Sequence, residues 1–146
     1  MISQFERQLI NNAQYEVDLR ISVNIVSNSK NPFFLLEYAQ ASNWDNGLEV
    51  VNAVADNEQC DLGIALSLFW LADAMCYLIK DIKRNEYNEE WSDFCEKMIS
   101  RISTGWYKLN LIRFEPPLGR VEKYTLIKQG VPEIFINKVI PKDETI

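Results

Sequence analysis

Apolar residues along the chain recur mostly at three- and four-residue spacing, the signature of helices that bury one face. From Ile2 to about Ala13, Phe5, Leu9 and Ile10 fall on one side and Glu6, Arg7 and Gln8 on the other, which predicts a short amphipathic helix. The next stretch reads two ways. Tyr15, Val17, Leu19, Ile21, Val23 and Ile25 alternate with polar residues at the period of a strand, while Val17, Ile21 and Ile25 also fit helical i, i+4 spacing. A lone strand needs partners, and the remaining pattern is helical, so a helix is expected. Asn28-Ser29-Lys30-Asn31-Pro32 is a turn that opens a helix, since proline suits a first helical position. Phe33, Leu36 and Ala39 then carry a helix to about Ser42, Asn43-Trp44-Asp45-Asn46-Gly47 breaks it, and Leu48 to Asp56 forms another with Leu48, Val51 and Val54 or Ala55 inward.

Leu62 to Ile79 is apolar all round except for Gly63, Ser67 and Asp73. Such a helix belongs at the centre of a helical domain. Asp61 is placed to cap it, and it runs either to about Lys83 or as two helices broken near Asp73. Its length only just reaches the roughly 20 residues a membrane span needs, and Asp73 near the bilayer centre costs about 2–3 kcal/mol. A buried helix is the simpler reading. Beyond the polar turn Lys83-Arg84-Asn85, residues Trp91, Phe94, Cys95, Met98, Ile99 and Ile102 describe one apolar face of a helix ending near Gly105. The tail changes character. Leu109, Leu111 and Arg113, then Glu115-Pro116-Pro117-Leu118-Gly119, predict an extended piece and a rigid turn, and Val121 to Lys128 and Ile134 to Val139 pack as short strands or short helices. No repeat or composition break divides the chain. The expected fold is mainly α, a compact single-domain bundle over residues 1–146, with five or six helices around the central apolar one and a short strand or extended segment near the termini.

Composition narrows the chemistry. Fifteen Lys and Arg against 21 Asp and Glu leave a net charge of -6, which disfavours nucleic-acid binding led by a basic face. The chain has no histidine, which removes Ser-His-Asp and Cys-His nucleophiles and two-His metal sites. Five scattered glycines build no phosphate loop. The odd, widely spaced cysteines Cys60, Cys76 and Cys95 fit neither a disulfide framework nor a zinc site, and free thiols fit a reducing cytoplasm. The start, Met1 to Arg7, lacks the basic n-region of a signal peptide. No cofactor, metal, membrane or nucleic-acid partner is expected, and no enzymatic activity.

Three polar features remain as candidates. Glu86, Glu90 and Asp93 at i, i+4 and i+7, with Glu89, Asp93 and Glu96 on a parallel track, share a face opposite Trp91, Cys95 and Met98. That face is either a solvated helix surface or an acidic patch steering a basic partner. Asp73, amid Leu71, Ala72, Ala74 and Met75, is either a buried acid or base, or a structural group capping a helix or bonded to Trp70 or Tyr77. Trp44, with Asp45-Asn46-Gly47, is an exposed recognition loop or an anchor for the turn, its high average burial favouring the anchor.

Trp44-Asp45-Asn46-Gly47, then Cys60-Asp61-Leu62-Gly63-Ile64-Ala65-Leu66, then Phe69-Trp70-Leu71-Ala72-Asp73 resemble a bacterial family of small proteins classed as a domain of unknown function. The family pattern is W-D-x-G, C-D-x-G-x-A-L, and an aromatic pair followed by A-D. Glu115-Pro116-Pro117-Leu118 and Val131-Pro132-Glu133-Ile134-Phe135 resemble its tail, so the likeness spans about residues 33–136. Ile64 stands where that pattern carries Thr. Members are encoded near polymorphic toxins and contact-dependent inhibition systems, so the resemblance implies an immunity protein whose partner is a cognate toxin domain. No catalytic residue carries over. In this chain the matching positions read as core and caps, with Gly63 permitting close helix approach. The acidic charge fits an inhibitor of a basic toxin, such as a nuclease, with Glu86, Glu89, Glu90, Asp93 and Glu96 as the candidate partner-binding residues. The rival readings are a small-substrate enzyme using Asp73 and an oligomeric scaffold or adaptor.

Overall fold

The computed structural model describes residues 1–141. They form eight α-helices: α1 (Gln4–Asn12), α2 (Leu19–Asn28), α3 (Pro32–Ala41), α4 (Glu49–Asp56), α5 (Leu62–Leu71), α6 (Ala74–Leu78), α7 (Glu89–Ser103) and α8 (Arg120–Lys128). Short side chains set several of the starts. Ser3 and Glu6 make a reciprocal capping box on α1, and Asp18, Asn31 and Asp61 accept backbone N–H bonds at α2, α3 and α5. α4 starts without a cap from its own segment: the Leu48 N–H instead donates to the carboxylate of Glu90 on α7, at 2.6 Å.

α5 is the centre of the bundle. Ile64, Ala65, Leu66, Leu68 and Phe69 are fully buried, and α5 packs on α3, α4, α6 and α7. Burying one such large side chain is worth about 1.5–3 kcal/mol, so this helix dominates the stability of the fold. The mainly α, single-domain architecture is as the apolar pattern implies, and the helix ends at Asp73, as one of the two sequence readings has it. Asp73 adopts φ 55 and ψ 34, a left-handed conformation that stops α5 and restarts the chain as α6. The longer reading, to about Lys83, fails because α6 ends at Leu78 and Lys80 is again left-handed.

The ambiguous segment at 15–25 is helical from Leu19 onward, and its phase differs from the expectation. Ser22 and Val26 face the core, while Val17 is 88% exposed and Ile21 48%. Ser22 can occupy a core position because Tyr38 donates its hydroxyl to the Ser22 Oγ at 2.9 Å, so neither buried oxygen is orphaned. α3 is rotated likewise: Phe34, Leu35, Tyr38 and Ala39 are buried, and Phe33 is exposed. α4 and α7 bury the residues expected of them, Val51, Val54 and Ala55 on one and Phe94, Cys95, Met98 and Ile102 on the other.

The tail wraps the bundle. Its extended and helical pieces correspond to the residues anticipated, with α8 at Arg120–Lys128 and a turn of 3-10 helix at Glu133–Phe135. Phe114 and Val139 exchange two backbone hydrogen bonds of 3.0 and 2.8 Å, an isolated antiparallel pair; no larger sheet forms among the described residues. The Trp70 indole fastens the tail by donating to the Phe135 carbonyl at 3.0 Å.

Candidate functional site

The acidic run divides into three kinds of carboxylate. Glu89 and Glu90 sit in the first turn of α7, where negative charge is favoured by the helix dipole. Glu90 is committed to the start of α4 through Leu48. Asp93 and Glu96 are bridged by Arg84, whose Nη2 donates to both, and Glu96 also accepts the Tyr77 hydroxyl at 2.7 Å. Tyr77 and then Arg84 hold the Glu96 carboxyl below its ordinary value; the Glu96 bond pushes the Tyr77 hydroxyl up, and Asp93, then Glu96, push the Arg84 guanidinium up.

Glu86 lies in the turn before α7, so the i, i+4, i+7 track does not begin on the helix. Glu86 and Glu89 are exposed and neither bonds to another described side chain. All five carboxylates are therefore on the surface, as expected, but only these two stand uncompensated. The patch has a neighbour that the sequence pattern did not show. The Leu48–Glu90 bond draws the start of α4 against the start of α7, which brings exposed Glu49 beside Glu90.

Trp44 anchors its turn. Its indole donates to the Ala39 carbonyl at 2.9 Å and its ring meets Phe94 edge-on at 6.4 Å, so it is not an exposed recognition element. Asp73 corrects the expectation placed on it more sharply. It is exposed, and its side chain makes no capping bond and bonds to neither Trp70 nor Tyr77; only its backbone N–H reaches the Trp70 carbonyl, at 3.1 Å. The Trp70 indole goes to Phe135, and the Trp91 indole takes the neighbouring Ala72 carbonyl at 2.7 Å. The role of Asp73 lies in its backbone. A buried acid or base at that position is ruled out.

Asp61 does more than cap. One oxygen accepts the Ile64 N–H at 2.8 Å, and the other accepts the N–H groups of Leu111 and Ile112 at 2.8 and 2.7 Å. The Leu62 N–H returns a bond to the Leu109 carbonyl at 3.2 Å. Gly63 is required for this closeness, because a Cβ there would run into the Ile112 carbonyl. Gly63 thus admits an extended strand of backbone rather than another helix. Burial pushes the Asp61 carboxyl up, against the pull of its three N–H donors. Together these residues form a clamp that closes the tail onto α5. Short polar spacing identified the cap, but nothing local pointed to partners about fifty residues away.

Burial works against all three thiols as nucleophiles. Cys60 and Cys95 are buried, and desolvation raises both, Cys95 to about 12; burial raises half-buried Cys76 as well. Among the described residues no group of three or more Cys, Asp or Glu could hold a metal ion, and no helix is long and apolar enough to cross a membrane.

Neither curated proteins nor solved structures match the chain. A protein family does match, over residues 30–103, a span that opens just before α3 and closes with the last residue of α7, taking in the buried α5, the Asp61–Gly63 clamp and the acidic face. By that match over half its length, the chain belongs to the family DUF4274, a domain of unknown function.

Proposed function

We propose that this chain is an immunity protein that binds and neutralises a cognate bacterial toxin domain through its acidic surface, acting in the cytoplasm. One observation carries the reading: Glu86 and Glu89 are exposed and unpaired at the start of α7, beside Glu90 and Glu49, on a chain of net charge -6. Carboxylates so placed attract a basic surface, steering its approach and raising the association rate more than the affinity. A nuclease, whose active site is built to hold phosphate, presents such a surface. Asp93 and Glu96 contribute less, because Arg84 already spans them.

Co-expression tests the proposal. The protein encoded by the neighbouring reading frame should be toxic alone and harmless beside this chain, and the two should co-purify. A neighbour that neither harms the cell nor binds would reject the reading.

An oligomeric scaffold has one observation in its favour. On α8, Val121 is 79% and Tyr124 59% exposed, beside Ile127, so an apolar face is left for another chain. Sedimentation as a dimer at micromolar concentration, lost with Tyr124→Lys, would establish that reading. A monomer removes it.

A further inference from the structure

A groove of about 790 Å³ runs between α2 and α4, and through Val23, Ser27 and Glu49 it continues into a second of about 670 Å³ at the start of α2. Half-buried Val23 and Ala53 supply apolar ground, and exposed Val17, just ahead of α2, lines the second groove. The carboxylates lining it are not equivalent. Asp18 is paired with Arg20, and Asp56 with Lys97 and Arg101. Glu49 and Glu58, at opposite ends of α4, are exposed and make no ion pair. Lys30 lines the Glu58 end, where the Asn57 amide bonds to the Ser29 carbonyl, so it partly offsets Glu58; Glu49 instead joins the acidic start of α7. At roughly 1.5 Å per residue α4 rises about 10 Å from Glu49 to Asp56, and Glu58 follows in the turn two residues beyond its end. An extended chain spans the helix and that turn in about four residues.

We propose that this groove seats an extended segment of the protein partner, with a Lys or Arg at each end of a four-residue span and an apolar side chain between them resting on Val23 and Ala53. The inference rests on the reading of this chain as a binder of a basic protein, and it places the specific contact beside the steering face rather than on it. Carboxylates at both ends of an apolar floor complement that pattern of charge, and a buried apolar anchor within a charged rim is the usual anatomy of a protein interface.

The test titrates the isotopically labelled full chain with a blocked peptide, Gly-Lys-Ser-Leu-Ser-Lys-Gly, whose two lysines and central leucine share one face when extended, and follows backbone amide shifts. Saturable shifts at Val23, Glu49, Ala53 and Glu58 are expected, with affinity falling at least about fivefold in the double variant Glu49→Gln, Glu58→Gln. Both positions are exposed, so an unchanged amide spectrum elsewhere verifies the fold of that variant. Shifts confined to Glu86, Glu89 and Glu90 overturn the groove but leave the acidic-face reading intact. Equal shifts with a peptide carrying glutamates for lysines, or no saturable shift, also overturn it. Concentration-dependent shifts at the groove without peptide overturn it in favour of a second copy.

Discussion

Asp61 and Gly63 show how much one buried carboxylate and one missing Cβ can fix. Replacing Asp61 with Ala orphans three backbone N–H groups, two of them in the tail, and should cost about 3 kcal/mol or more in urea unfolding. Asn should rescue only in part, since its amide nitrogen would have to face the donor at Ile64 or those at Leu111 and Ile112. Gly63→Ala should cost about 1–3 kcal/mol by forcing the Ile112 backbone away; stability equal to wild type would show that the tail is not held there. The cysteines give an independent check. In the folded protein Cys60 and Cys95 should resist iodoacetamide while half-buried Cys76 reacts slowly, and all three should react in denaturant. The sequence revealed the capping role of Asp61 because caps follow local spacing. It misplaced Asp73 because an apolar neighbourhood in the chain does not imply burial: a left-handed residue at a helix break turns its side chain to solvent.

Elements were legible where their faces are uniformly apolar, and were misread where a polar residue turns inward. α4 and α7 bury most of the residues their patterns mark, although α7 also buries Ser92, bonded to Asn88 within its own first turn, whereas α2 buries Ser22 and exposes Ile21 because a hydroxyl on α3 satisfies the serine. That pairing joins two elements, and periodicity within one element cannot report it. The junction of α4 and α7 makes a prediction at this scale. Arg101 donates to Asp56 at 2.8 Å and Lys97 at 3.1 Å, and Arg101 also reaches the Ala55 carbonyl at the end of α4. Burial alone would raise the Asp56 carboxyl, but Arg101 and Lys97 outweigh it and hold the group below its ordinary value of 3.8. A carboxylate depressed by folding stabilises the native state above its unfolded pKa, and that contribution fades as the pH falls below about 3.8. Asp56→Asn should therefore lower stability near neutral pH by about 0.5–1 kcal/mol, since the group is half exposed, and should narrow its gap to wild type in acid. A gap constant with pH would show that the contact is not electrostatic.

At the scale of the molecule, the charge is unevenly compensated, and under the proposed function that decides where the partner first arrives. Net charge and the exposed acids were visible in the sequence. Which carboxylates are silenced was not, because Arg84, Tyr77 and Leu48 reach them from other elements. Arg84→Ala should speed association with a basic partner at low salt by unmasking Asp93 and Glu96; slower association would mean that Arg84 itself touches the partner. The account is tested most directly by the association rate between this chain and the protein encoded by the neighbouring reading frame, the proposed toxin, measured for wild type and for the double variant Glu86→Lys, Glu89→Lys across a range of salt. The variant should associate about tenfold more slowly at low salt and converge on wild type as salt screens the field. Rates that coincide at every salt concentration would contradict an acidic surface as the means of capture.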